Sequence, residues 1–493
     1  SDVYKRQVYT RASFNITAPG AISNMFLGVD YDDGFVAWIN GTEVLRSTSM
    51  PAGTPDWNST PLLHESSNAA SPVYAPLHDI TSVVLPVLQP GDNVLAIAAY
   101  NQSGSSSDLV LAPQLSINST VTRGPYLQQG TPNSVVVRWR TASATDSRVR
   151  FGNAPGNLTS SVDDADVTTE HEVKLTGLAA DTTYYYSVGS TNGVLAGDDP
   201  EHFFLTSPPV GTAKPTRLWV LGDSGTADAN AQSVANAYEN FTGTIHTDLW
   251  LMLGDNAYVD GTDSQYQGAV FDMYPVMLRK SVLWPTLGNH DGHAADSATQ
   301  TGPYYDIFSL PTNGEAGGLA SGTEAYYSFD YGNIHFICLD SHETDRSPGG
   351  AMMSWLTQDL AATSQEWIIA FWHHPPYSKG SHDSDIEVPL RQMRQNALPI
   401  LEAYGVDLVL SGHSHSYERS YLINSHYGNS TTLAPDMQVD TGDGRTDGHG
   451  AYKAVFNEAD PYRGAVYITA GSSGKTSDGT LDHPVMVHAS LKQ

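Results

Sequence analysis

The sequence predicts a multidomain chain in which two all-β units precede a layered α/β domain. Three observations carry that expectation. The chain has 493 residues, more than one hydrophobic core supports, so roughly two to four domains are expected. Up to Ser207 the apolar residues fall in short alternating runs that end at turn residues, with little helical periodicity. From Thr216 onward apolar strands alternate with helical segments about every 30 residues, the length of a strand–helix–strand unit.

Composition narrows the function classes. Hydrophobic residues make up 40% of the chain and aromatic residues 10%, as in ordinary foldable protein. Lys and Arg number 24 against 53 Asp and Glu, a formal charge of −29, which argues against nucleic acid or an anionic membrane as partner because both need cationic surface. A phosphate substrate would be repelled at long range, so a site for one needs strong local cations. The single cysteine, Cys338, lies in the apolar run Ile334-His335-Phe336-Ile337-Cys338-Leu339 and reads as a core residue, with no disulfide available. No run of about 18 apolar residues exists, so no membrane-spanning helix is expected. Residues 1–7 (SDVYKRQ) fit neither a signal peptide nor the strand pattern after them and read as a non-native leader. The stop just after the apolar stretch 485–487 reads as a truncated carboxyl end. Sequons at Asn15, Asn40, Asn58, Asn101, Asn118, Asn157, Asn240 and Asn429 lean toward a secreted or periplasmic protein.

In the first unit, 8–119, Phe35-Val36-Ala37-Trp38-Ile39 runs into Asn40-Gly41, a hairpin signal, and Val94 to Tyr100 is a second strand. The segment Asp30-Tyr31-Asp32-Asp33-Gly34 reads as an acidic turn, with structural calcium as the alternative. The pattern resembles the jelly-roll modules appended to secreted bacterial enzymes, which implies a β-sandwich and a possible polysaccharide partner. The second unit, 120–207, carries Ser134-Val135-Val136-Val137-Arg138-Trp139-Arg140 and Thr183-Tyr184-Tyr185-Tyr186-Ser187-Val188, strands with period-two alternation. A strand tryptophan followed by a tyrosine-rich strand resembles a fibronectin-type-III sandwich, a scaffold without chemistry. The Pro-rich stretch 208–215 reads as a linker.

The third unit, 216–493, shows strands at 218–221, 249–253, 282–287, 334–339, 367–372, 408–410 and 465–469, with helices at 229–241, 352–362 and 388–404. The Asp- and Gly-rich stretch 424–450 is too polar for core and reads as a surface insertion. Within it, Asp440-Thr441-Gly442-Asp443-Gly444 reads as plain loop, with calcium again the alternative.

Polar residues cluster where these strands end. Gly222-Asp223-Ser224-Gly225 follows the first strand, Gly254-Asp255-Asn256-Ala257-Tyr258 the second and Gly288-Asn289-His290-Asp291 the third. His373-His374-Pro375-Pro376-Tyr377 follows the 367–372 strand, and Gly412-His413-Ser414-His415-Ser416-Tyr417-Glu418-Arg419 the 408–410 strand. Each has an ordinary alternative, such as a turn, a cap or a core histidine. Parallel strands bring their carboxyl ends to one edge, so carboxylates, an amide, a phenol and at least three imidazoles would converge there. Such a concentration serves to hold more than one metal ion.

These five blocks, in this order, resemble the calcineurin-like metallophosphoesterases, and Tyr258 with the GHSHSYER block narrows the resemblance to purple acid phosphatases. It spans about residues 121 to 490 and implies a four-layer α-β-β-α catalytic domain. By resemblance, Asp255 bridges two metals, Asp223, Tyr258 and His415 complete a site for Fe(III), and Asn289, His373 and His413 complete one for Zn, Mn or Fe(II). His373 rather than His374 fits the family spacing. Asn289, His290 and His382 would contact substrate, with His290 the first choice of general acid, His382 another substrate-side histidine and Asp291 orienting His290. Asp291 stands where plant and animal members carry Glu.

The expected activity is that of a secreted dinuclear-metal acid phosphatase, hydrolysing small phosphate monoesters by metal-hydroxide attack on phosphorus. The alternatives are a Mn/Zn phosphodiesterase or nucleotidase on the same fold, and a carbohydrate-binding surface protein with a vestigial esterase domain.

Overall fold

A computed structural model describes residues 7–491 apart from 17–18, 20–21, 23, 70–71, 75, 105–107, 118–120, 192 and 454–463. Most of the expected leader, the Asn118 sequon and the boundary between the first two units therefore lie outside the described residues.

In the first unit the strand Gly91–Tyr100 pairs with Gln7–Ile16 on one side and Gly34–Ile39 on the other, and Thr42–Arg46 extends this antiparallel sheet. A second antiparallel sheet places Met25–Tyr31 between His78–Asp79 and Leu111–Ile117. The predicted Asn40-Gly41 hairpin forms, with φ of 49° and 87° at the two residues. Such a tight turn needs positive φ at both positions, which Asn tolerates and Gly adopts freely. Leu27 and Val29 from one sheet and Phe35, Ala37, Ile39 and Ile97 from the other bury into one core, as inward faces of paired sheets do.

The strands of the second unit join into one six-stranded antiparallel sheet. The long strand Ser134–Gly152 serves both halves. Its first part pairs with Val121–Gln128, its last residues pair with Thr183–Ser190, and Ser160–Thr176 follows it throughout with bulges near Thr168. This unit shares its apolar core with the domain that follows: Leu127, Val137, Trp139 and Tyr186 are continuous with Trp250, Leu251 and Trp284. Polar anchors fix the junction. Tyr126 Oη donates to the Ile307 carbonyl at 2.7 Å, and the Arg123 and Arg140 guanidinium groups both bind the Asp263 carboxylate.

Two main sheets build the third unit, beside a small two-stranded one pairing Leu422–Ile423 with Gln438–Asp440. Leu218–Leu221, Leu249–Met252 and Val282–Pro285 form a short parallel sheet. Seven strands form the other, in the order Tyr327–Tyr331, Ile334–Cys338, Trp367–Trp372, Leu408–Ser411, Val466–Ala470, Tyr417–Ser420 and Met486–Ser490. Strand alternation sorts the core. Phe336, Cys338, Ile369, Phe371 and Leu410 face the short sheet across one apolar layer. Ile337, Leu339, Ile368, Ala370, Trp372 and Val409 face Met353, Leu356, Leu398 and Leu401 of the covering helices. On the short sheet's outer side, Tyr238 of the helix Ala229–Thr242 stacks on Trp219 at 4.2 Å. The result is the expected helix–sheet–sheet–helix layering. Cys338 is fully buried, and burial pushes its thiol up to about 12.

Two expectations need correction. The five motif-bearing strand ends do not share one sheet edge: three come from the short sheet and two from the seven-stranded one, meeting across the seam. The helix predicted over 388–404 runs through Val388–Gln392 and Leu398–Ala403, with a wider i→i+5 turn at Met393–Ala397 between them.

Candidate metal centre

Each motif block begins in the loop after its strand, and in the four blocks that open with a glycine (Gly222, Gly254, Gly288 and Gly412) crowding imposes it. A Cβ at Gly288 would lie 2.3 Å from Asp255 Oδ1, and one at Gly254, whose φ is +88°, would lie 2.6 Å from His373 Nδ1. Asp223, Asp255 and His413 themselves hold φ of 58°, 52° and 63°. Left-handed backbone at non-glycine residues is uncommon and collects at functional sites.

The seven predicted donors come together in two linked groups. In the first, Tyr258 Oη donates to Asp223 Oδ1 at 3.1 Å and lies 3.4 Å from His415 Nε2, which is 3.6 Å from Asp223 Oδ1. In the second, His373 Nε2 lies 3.0 Å from Asn289 Oδ1, 3.1 Å from His413 Nδ1 and 3.4 Å from Asp255 Oδ1. Carboxylate oxygens of Asp223 and Asp255 and a nitrogen of His373 all fall within 4.8 Å of one another, linking the groups. Asp223, Asp255, His373, His413 and His415 are all buried.

Outer partners aim each imidazole. His373 Nδ1 donates to the Leu253 carbonyl at 2.8 Å, which leaves the Nε2 lone pair directed inward. His415 Nδ1 is 2.9 Å from Ser477 Oγ, so Nε2 again faces the cluster. His413 Nε2 lies 3.5 Å from the Glu387 carboxylate, with Nδ1 inward. Fixing one ring nitrogen to set the other's role is how metal-binding histidines are held. Alternation explains the rest of the GHSHSYER block. Its histidines face the centre, while Ser414, Ser416 and Glu418 bury on the other side, where Ser378 and Ser416 donate to Glu418.

His290 lies beside the cluster. Its backbone N–H donates to Asp255 Oδ1 at 2.9 Å, its Nδ1 bonds the Val259 carbonyl at 2.6 Å, and its Nε2 is 3.9 Å from Asp255 Oδ2. His382 is brought in as well: its ring packs 3.8 Å from that of His413, and Nδ1 is 3.0 Å from Glu387 Oε1. The expectation that Asp291 orients His290 is corrected. Asp291 is fully buried and accepts bonds from Tyr266 Oη, the Gly288 and Asn256 amides and the Asn256 side chain. It ties the second and third motif loops together, and the Val259 carbonyl takes the place expected for it. His374 Nδ1 is bonded to Ser341 Oγ at 2.9 Å, its ring packs 4.4 Å from that of His413, and one of its nitrogens lies within 4.8 Å of nitrogens of His373 and His413.

Sequence reasoning missed Glu387, Ser477 and Lys475. Glu387 joins His382 to His413, and Lys475 Nζ stands 5.3 Å from the centre of the Tyr258 ring. Nothing local marks them, because each reaches the centre only through the fold.

The electrostatics follow from burial and like charge. Burial, then the Asp255 charge, pushes the Asp291 carboxyl up to about 7. Burial and the Asp223 and Asp255 carboxylates push the Tyr258 phenol far above its ordinary value. Burial lowers His413 to about 4, with the neighbouring His373 and His382 adding to it. Burial would raise Asp255, but the His373 and His290 rings outweigh it and hold that carboxyl low. Two adjacent buried carboxylates, a phenol and three inward-aimed imidazoles fit multivalent cations, because a bound cation relieves the carboxylate repulsion and favours the phenolate. The hard oxygen donors gather around Asp223 and Tyr258, and the imidazoles His373 and His413 around Asn289.

Comparison with known proteins agrees with this geometry. The calcineurin-like phosphoesterase family matches residues 216–417. The purple acid phosphatase N-terminal domain matches residues 124–206. Purple acid phosphatase 15 of Arabidopsis thaliana is 30% identical over 278 residues, covering 51% of this chain and 49% of the relative. Purple acid phosphatase 23 of the same plant is 28% identical over 302 residues, covering 56% and 62%. The chain thus spans about half the length of the first of these relatives. The structure of purple acid phosphatase PPD1 from yellow lupin (Lupinus luteus) seeds superposes with a TM-score of 0.54 at 16% identity, covering 99% of this chain and 90% of that one. PhoD superposes at 0.53 with 13% identity, covering 76% and 83%; both likenesses are of fold. The family implies a dinuclear metal centre, and this chain supplies candidate ligand groups for it.

Proposed function

We propose that the chain is a secreted phosphomonoesterase acting on small organic phosphates at a dinuclear centre. The observation that carries this is the pair of linked donor groups, with Asp255 in reach of one and joined through Asp223 to the other. Asp223, Tyr258 and His415 would hold a ferric ion, Asn289, His373 and His413 a divalent Zn, Mn or Fe, and Asp255 both. Ions bound there would supply Lewis acidity, drawing charge from the phosphoryl oxygens and acidifying a water. The retained phenol of Tyr258 favours this reading over a Mn/Zn diesterase or nucleotidase.

The chain's own residues do the remainder. Lys475 supplies positive charge at the mouth of a strongly acidic protein, meeting the need for a local cation. His290, donating from Nδ1 to the Val259 carbonyl, presents Nε2–H when protonated. As the phosphorus–oxygen ester bond breaks and a water oxygen bonds to phosphorus, the leaving alkoxide takes that proton. His382, held through Nδ1 by the Glu387 carboxylate, would bind a phosphoryl oxygen on the opposite side. The second unit would act as a fibronectin-like scaffold. The first, jelly-roll-like unit would anchor the enzyme to polysaccharide, a reading supported by the 72% exposed Trp57, whose face could stack on a sugar ring.

His290→Ala tests the proton assignment. It should slow esters with poor leaving groups about 10²-fold or more and those with good leaving groups far less. An equal loss on both would show that His290 binds substrate without donating a proton.

A further inference from the structure

We infer that the amino-terminal unit binds one calcium ion between Asp32, Glu65 and Asp108. One carboxylate oxygen of each lies within 4.8 Å of those of the other two. The carboxylates of the Asp30–Gly34 turn divide their work. Asp30 is consumed by structure, accepting from the Ser67 amide at 2.8 Å, Ser67 Oγ at 2.5 Å and the Val73 amide at 3.0 Å. Asp33, at a φ of 54°, accepts from the amides of His64 at 3.3 Å and Gln102 at 2.7 Å. These bonds draw His64, Ser67, Val73 and Gln102 against the turn.

Asp32 is different. It is only 4% exposed, and its Oδ2 has no hydrogen-bond partner among the described residues. Buried polar atoms are nearly always partnered, and an orphan on a charged group is costly. Here it sits with two further carboxylates, whose repulsion adds to the cost. Burial first, then the charges of Asp33, Asp108 and Glu65, pushes the Asp32 carboxyl up to about 6. The fold therefore spends the Asp30 and Asp33 hydrogen bonds on holding an unfavourable anion cluster in place, and a cation resolves that conflict. The donors are all carboxylate oxygens, with no imidazole or thiolate in the set, which selects a hard cation. Exposed Glu65 and Asp108 give entry from solvent and a flexible rim, which suits calcium better than octahedral magnesium.

The test is calcium titration of the full-length protein with its other metals in place, compared with a Glu65→Gln/Asp108→Asn double variant. Both substituted residues are exposed, so the variant should fold. The wild type should bind one more calcium than the variant, with a dissociation constant of about 0.1–1 mM as in extracellular modules. Calcium at 10-fold that constant should raise the melting temperature of the wild type alone. Asp32→Asn should lose the same calcium. Equal stoichiometry and equal thermal shifts in wild type and double variant would overturn the site, and equal stabilisation by magnesium would overturn the calcium assignment.

Discussion

Asp291 shows how a motif residue can be visible in a sequence while its work is not. Its position beside Asn289 and His290 identified it, but its partner Tyr266 lies 25 residues back and donates to Oδ1 at 2.6 Å. The account predicts that Asp291→Ala leaves Tyr266 Oη and the Gly288 and Asn256 amides unsatisfied, costing about 2 kcal/mol or more in denaturant unfolding. The ratio of rates on good and poor leaving groups should stay as in the wild type; a ratio shifted as in His290→Ala would return Asp291 to the role of orienting His290. The donors themselves were legible because each lies within a few residues of a strand end, where the local pattern shows both strand and polar block. Glu387 and Lys475 were not, because they approach from separate loops.

At the scale of elements, the strands could be read from short apolar runs, and alternation then assigned each residue to one of two cores. His335 is the exception within such a run. It is 1% exposed, with Nδ1 2.8 Å from Asp330 Oδ1 and Nε2 2.9 Å from Asp359 Oδ2. Burial would lower its pKa, but the bonds to Asp330 and Asp359 prevail and raise it to about 9 from 6.5. The folded state thus binds this proton more tightly than the unfolded state. Its contribution is complete below about pH 6.5 and is lost as pH rises through about 9, a change on the order of 3 kcal/mol. Denaturation between pH 6 and 9.5 should show that decline, and His335→Gln should remove most of it. A wild-type profile flat across that range would contradict the buried ion triad. Strand edges were less legible: Tyr327–Tyr331 was not predicted, because its polar Ser328 and Asp330 interrupt the apolar run, and they are held by Asp359 and His335.

For the whole molecule, the sequence suggests three units in order, but their unequal dependence was not legible in it. The second and third units share one core, with Arg123 fully buried against Asp263 between them, whereas the first unit closes over cores of its own. Sequence could not show this, because a continuous core depends on packing between distant faces. Removal of residues 1–119 should therefore leave a cooperatively folded esterase with its transition metals. Removal of residues 1–207 should expose Trp250, Leu251 and Trp284 neighbours and give insoluble or non-cooperative protein, seen by calorimetry. Independent folding of the 208–493 piece would refute the shared core.

The central claim, that seven side chains hold two metal ions, is tested most directly by elemental metal analysis with a visible absorption spectrum of the purified chain, beside Asp255→Asn. The account predicts about two transition metals per chain, iron among them, a visible band from Tyr258 bound to Fe(III), and loss of metal and turnover in the variant. One transition metal or none in the folded wild type, or unchanged metal content and turnover in Asp255→Asn, would contradict it.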